Sequence, residues 1–227
     1  MKVVRGRVRG LKNTLFVESR SLKKGQMKVS TASRLLTFCL IAAFYAKGQN
    51  FAVEIHDAIL DGDPLLVQAC LERGQDINTI GRGKQTPLIH AILNGKIEIV
   101  EHLLRWGADT TIGEENGYTP LHAAAFSGQA KIIRMLIAHG LSPNEILEDG
   151  YAPIHRACWG NEAKHTEAVQ ALLEAGVSAY QLTSFGHRPI DLVKDNKATS
   201  ELLHYYAKKE EAEFLRAQNE EKKKVEL

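Results

Sequence analysis

The 227-residue chain reads as an all-α solenoid, and three observations lead there. The strings TPLIHA from Thr86, TPLHAA from Thr119 and APIHRA from Ala152 recur at intervals of 33 residues. Within each interval a short helical segment stops at a glycine, and a second segment with an apolar stripe follows it. Runs rich in Asp, Asn, Pro and Gly separate one interval from the next. A period of this length marks stacked supersecondary units, none of which can bury its apolar face alone.

The elements of one unit follow from local chemistry. Thr86 and Thr119 suit the N-cap, where a hydroxyl accepts an orphan backbone N–H, and Pro87, Pro120 and Pro153 suit the first helical position. Gly95 and Gly128 end the first helices in a conformation that side chains disfavour. In the second segments, Ile99, Val100, Leu103 and Leu104, then Ile132, Ile133, Leu136 and Ile137, form inward stripes at helical spacing and run to Gly107 and Gly140. The connecting ADTTIGEENGY and LSPNEILEDGY suit tight turns projecting from the stack.

Two weaker copies flank the clear ones. RPIDLV starts at Arg188, 36 residues after Ala152, and the difference falls in CWGNEAKHTEAV, as an insertion of about three residues between the two helices of that unit. Counting back from Thr86 lands on Val53, which opens a unit without Thr-Pro. The units are thus about 50–82, 83–115, 116–148, 149–184 and 185–206. Departure from the motif suits the ends of a stack, where a unit has one neighbour and needs a polar outer face.

Thr-Pro-Leu-His-x-Ala, the glycine after the first helix and LLRWGA at Leu103 to Ala108 resemble ankyrin repeats, over residues 49–206. The resemblance implies about five helix-turn-helix units joined by short β-hairpin turns, and a protein-binding module that is not an enzyme. It makes His122 and His155 structural, bonded to the backbone of adjoining turns. Spacing agrees, since the two would lie about one helix layer, or 8 to 10 Å, apart, whereas metal ligands sit about 2.1 Å from a shared ion. His56, His102, His139, His165, His187 and His204 form no ligand spacing and read mostly as surface residues.

No P-loop, paired-Cys zinc spacing, His-Glu-x-x-His helix or nucleophile elbow occurs in the sequence, and GRGKQTP at Gly81 sits where the repeat places a turn. Neither a cofactor, a metal nor a catalytic residue is expected. Cys70 and Cys158 fall about three layers, or roughly 30 Å, apart, beyond the reach of a disulfide, and read as small buried residues.

The resemblance places the binding surface on the concave face, formed by the turn tips and the exposed side of each first helix. Gln85, Tyr118, Tyr151 and His187 fall on the tips, extended by Glu115, Asn116, Glu148, Asp149 and Phe185, while Asn94, Phe126, Ser127 and Trp159 fall on the helices. Tyr118, Phe126, Tyr151 and Trp159 together have the composition of a recognition patch, and Glu115, Glu148 and Asp149 beside them favour a partner with a basic surface. Each ring also reads as an ordinary scaffold residue, because isolated surface aromatics need no partner. The insertion, around Asn161 to Lys164, enlarges the loop beside Trp159; Trp106 occupies another variable position.

Composition, with 44% hydrophobic and 25% charged residues, excludes disorder throughout, but charge is unevenly spread. Residues 1–48 hold 11 Lys/Arg and one acid, so the rest carries 18 bases against 26 acids, a net charge of −8. That balance speaks against nucleic-acid binding. The basic leader ends in RLLTFCLIAAFYAKGQN, too short an apolar run to span a bilayer comfortably. From Met27 it reads as a signal peptide cleaved before Gln49, with an Arg-rich transit peptide and an uncleaved anchor as alternatives. Residues 207–227 read as a solvated helical or frayed tail without a coiled-coil seam. Two functions remain open: an exported (periplasmic or secreted) protein-binding module, or a membrane-anchored or periplasmic structural protein that acts through leader and tail.

Overall fold

The computed structural model describes residues 53–225 apart from Arg82, Glu115 and Asn116, with side chains given as far as Lys222. The leader and its three readings, together with the candidate residues Glu115 and Asn116, lie outside the described residues.

Helices come in pairs: α1 Ile55–Asp61 with α2 Pro64–Glu72, α3 Pro87–Leu93 with α4 Ile97–Arg105, α5 Pro120–Phe126 with α6 Ala130–Ala138, and α7 Pro153–Cys158 with α8 Ala163–Glu174. A 3₁₀ turn at Pro189–Leu192 and the long α9, Lys197–Val225, complete the series. First helices stack on first helices and second on second, so each pair rests on the next. The seam between the rows is one continuous core from Ile55 to Leu203. Ile99, Val100, Leu103, Leu104, Ile132, Ile133 and Leu136 are buried there, and Ile137 is half-buried at its edge. Burying side chains of this size is worth about 1.5–3 kcal/mol each, which helices of six to nine residues need because they are too short to be stable alone.

The expected β-hairpins are simpler turns: no strand forms among the described residues. Each tip closes with a bond across its base, Gly81 N to Gln85 O at 3.0 Å, Glu114 N to Tyr118 O at 3.1 Å, Leu147 N to Tyr151 O at 3.2 Å and Thr183 N to His187 O at 2.9 Å, and a turn bond inside it, as from Gly150 N to Leu147 O at 2.8 Å. The residue after each of these closures already caps or precedes a helix, which leaves no length for a second rung of a ladder.

The inserted residues do not enlarge the loop beside Trp159 as expected. They lengthen the second helix, so that α8 has 12 residues where α4 and α6 have nine. Ala163, Lys164 and Glu167 favour helix, and burial of His165 and Ala168 holds the added turn against the stack.

Unit five is reduced and differently anchored. Asp191, standing where the motif has His, accepts from the Arg188 backbone N–H at 2.9 Å and pairs with its guanidinium at 3.0 Å. Asn196 starts α9 by accepting from Thr199 N at 3.1 Å, and its amide donates to Gly160 O at 3.2 Å, which ties α9 to the end of α7. The helix then runs 29 residues without a break at residue 206. Glu210 accepts from Ser178 Oγ at 2.6 Å and from Ala179 N at 2.7 Å, and Tyr180 Oη donates to Glu211 at 2.5 Å. Beyond these contacts Phe214 and Leu215 are exposed.

Candidate partner-binding surface

The motif histidines are bolts that tie the first helix of a unit to the turn closing that unit. His122 is fully buried; its Nε2–H donates to Glu145 O at 3.2 Å, so its Nδ1 lone pair accepts from the Thr119 hydroxyl at 2.7 Å. Thr119 therefore spends its hydroxyl on the imidazole and makes no side-chain cap, unlike Thr86, which caps Ile89 N at 3.3 Å as expected. In the fourth unit Ala152 has no hydroxyl, and its backbone N–H donates to His155 Nδ1 at 3.0 Å while His155 Nε2–H reaches Gln181 O at 2.9 Å. Burial pushes the His122 imidazole down to about 4, outweighing the carbonyl bonds that favour its cation, and lowers His155 for the same reason. Both rings are neutral near pH 7, with both nitrogens of each engaged.

Three histidines expected at the surface behave otherwise. His56 occupies the motif slot of unit one, and its Nε2–H donates to Thr79 O at 3.1 Å. His165 is buried with Nε2 on Phe126 O at 3.3 Å, and His102 is half-buried with its ring 5.2 Å from that of Trp106. His139, His187 and His204 are exposed. Cys70 and Cys158 are buried and unbridged, and burial raises both thiols, which suppresses their reactivity.

The aromatic residues converge on a group that pattern reading passed over. Arg156, only 2% exposed, lies with its guanidinium carbon 4.4 Å from the Tyr118 ring centre, 4.9 Å from Tyr151 and 4.4 Å from Trp159. Asp149 closes the cage through an ion pair with Arg156 Nη2. Around this hub Tyr118 meets Phe126 edge-on at 6.3 Å, and Tyr151 meets Trp159 at 5.1 Å and Phe185 at 6.0 Å. Three successive units thus contribute to one surface. Phe126, Trp159 and Phe185 stand 49%, 40% and 65% exposed on it, while Tyr118 and Tyr151 are half-buried. The signal was in the string HRACW: an arginine beside the motif His, on the face that carries Trp159, has to find a counter-charge or an aromatic face to be buried.

Asp149 has an internal partner in Arg156 while its side chain remains 41% exposed, and Glu148 is exposed beside it. A guanidinium against the inner ring faces also draws electron density from them, so the outer faces attract a second cation poorly. The remaining candidates form a quieter flank toward unit two. Gln85 donates to Glu114 at 3.2 Å, Asn94 to His90 O at 2.8 Å and Ser127 to Ala123 O at 2.8 Å.

Among the described residues no three His, Cys, Asp or Glu side chains are grouped to hold a metal ion, and no helix is long and apolar enough to cross a membrane. No curated protein matches the chain. A family model described as ankyrin repeats (3 copies) matches residues 55–146 and again 107–183. Together the two matches cover residues 55–183, more than half of the sequence, and they coincide with the stacked pairs from α1 to the turn after α8. With its histidine bolts, Thr-Pro helix starts and 33-residue layers, the chain belongs to the ankyrin-repeat family.

Proposed function

We propose that this protein is an exported, non-catalytic binding module whose concave face, centred on Phe126, Trp159 and Phe185, holds a partner protein. Ankyrin repeats generally mediate protein–protein interaction and are typically non-catalytic. The single observation that carries the choice of surface is the gathering of Tyr118, Tyr151 and Trp159 around Arg156, with Phe126 and Phe185 against those rings. Rings held by such a hub lose little conformational freedom on binding, and aromatic anchors of this kind dominate interface energies. The partner is one with an apolar or aromatic segment, since Phe126, Trp159 and Phe185 stand exposed together. Export rests on the basic leader and its apolar run. N-terminal peptide sequencing of fractionated material tests it: a mature chain starting near Gln49 outside the cytoplasm is expected, and an intact leader in a cytosolic fraction overturns it.

Replacing Phe126 and Trp159 together by Ala tests the surface with little disturbance, because neither ring belongs to the buried core. Affinity for a partner recovered with the native chain falls at least about 30-fold, or 2 kcal/mol, while helicity is unchanged. Unchanged affinity removes the surface from consideration. The exposed Phe214 and Leu215 favour a second reading, in which contact is made by the outer part of α9. A chain ending after Glu213 separates the readings and spares the anchors Glu210 and Glu211.

A further inference from the structure

His56 on α1 and His90 on α3 face each other across the junction of the first two units. Their Nδ1 atoms are 3.0 Å apart and their ring centres 5.2 Å, with planes 29° apart, so the two imidazoles meet edge to edge. The Thr79 carbonyl fixes the tautomers. His56 must carry its proton on Nε2 to donate there, so its Nδ1 is a lone pair, and the bridging proton belongs to His90 Nδ1. The His56 ring lies close over Gly81, where a Cβ would come 2.6 Å from its Nε2.

Protons added to this pair are not equivalent. A first one can enter at His90 Nε2, and the resulting imidazolium still donates from Nδ1 to His56, in a stronger charge-assisted bond. A second one must take the lone pair of His56 Nδ1, the atom that receives the bridge. Two N–H groups and two like charges would then face each other at the spacing of a hydrogen bond. We propose that the His56–His90 pair is an acid-operated latch, which holds the first unit on the stack while it carries no more than one extra proton and releases it when both imidazoles are charged.

The surroundings do little to absorb that second charge. Among the described residues the charges acting on His90 are those of His56 and Asp57, the carboxylate favouring its cation, while burial, the larger influence, and His56 hold His90 below the usual histidine range. α3 carries no other titratable side chain, and α5 presents only His122, committed to Thr119 and Glu145. On α4, Glu101 pairs with Arg105 at 2.8 Å, Glu98 is exposed and His102 lies against Trp106. On α2, Asp63 caps its own helix and Glu72 accepts from Gln68, with Arg73 following; α1 and its cap add exposed Glu54 and Asp61, Lys96 precedes α4, and the turn adds Lys84 and exposed Asp76, whose carboxylate accepts from Asn78 N.

The sign is fixed by counting protons. An undocked first unit leaves both imidazoles free to charge below about pH 6.5, whereas the docked pair holds one proton fewer. Docking therefore weakens as the pH falls and recovers as it rises, by about tenfold per pH unit while that one proton is at stake. A unit at the end of a repeat array can open without the rest, so the response is local.

The test uses the full chain with ¹⁵N-labelled histidine. Near pH 7.5 the long-range proton–nitrogen spectrum shows His56 as the Nε2–H tautomer and His90 as the Nδ1–H tautomer, and acidification titrates the pair in two separated steps. Hydrogen exchange at Ala58 and Ile59, corrected for intrinsic rates, loses about tenfold protection per pH unit through the lower step, while Leu103 in unit two holds. In H90Q the amide can turn over to donate or accept, so the loss in unit one largely disappears. Two independent single-step titrations, exchange in unit one that stays flat to pH 5, or an H90Q chain that opens like the native one would each overturn the latch. If H90Q does not fold, the native-chain titration and exchange decide alone.

Discussion

His122 and Arg156 are two polar groups hidden in the same neighbourhood with opposite consequences. His122 is a neutral imidazole with both nitrogens satisfied, and its proton affinity is lowered to about 4. The unfolded chain binds that proton from about pH 6.5 downward while the folded chain resists it, so His122 holds its stabilising effect above pH 6.5 and loses it as the pH falls to 4. Integrated over that window the loss is about 3 kcal/mol, and urea melts of the native chain against H122N, followed from pH 7 to 4, should show the native curve as the steeper. Arg156 is charged, paired on one nitrogen with Asp149 and stacked on three rings, while its Nε has no acceptor among the described residues. Arg156→Met keeps the volume and removes the hub. Partner binding should weaken about tenfold through looser rings, with Trp159 emission shifting even without partner; an unshifted spectrum would mean the rings hold themselves. Sequence made the histidines readable, because repetition at one slot is a structural signature. It hid the arginine, because a single charged residue in a variable slot reads as solvated until three rings from two units are seen around it.

At the scale of helices, the period shows where each element starts more clearly than how long it runs. Thr-Pro fixes α3 and α5, and glycine with a positive φ at 95 and 128 ends them. The three extra residues of unit four were visible as a shift from 33 to 36, yet nothing in a one-dimensional alignment says whether they swell a loop or extend a helix. Burial decides, since a longer α8 presents His165 and Ala168 to the stack, where a loop would leave backbone groups unsatisfied. The charged tail is a similar case. Its composition suits a solvated helix, but two carboxylates let α9 continue, Glu210 accepting from a backbone N–H and a hydroxyl and Glu211 accepting from Tyr180. Glu210→Ala should cost about 1–2 kcal/mol of local stability and raise hydrogen exchange from residue 207 onward, with α6 unaffected. Equal exchange in both chains would mean that Leu203 and Tyr206 suffice to hold the helix.

For the molecule as a whole, the fold was legible because the same few residue types recur in every layer, so each local preference repeats the same answer. Its binding surface was half legible: the rings could be placed on one face, whereas the internal use of Asp149 depends on three-dimensional neighbours. The histidine bolts add one more property, which is direction. His56, His122 and His155 each reach forward to a carbonyl in the turn that closes their own unit, at Thr79, Glu145 and Gln181, and none reaches back. A chain shortened by whole units from either end therefore leaves every remaining bolt seated, whereas a cut between a histidine and its turn carbonyl leaves one of the two without its partner. Like coursed masonry, the stack parts cleanly at the joints between units and badly through the middle of one.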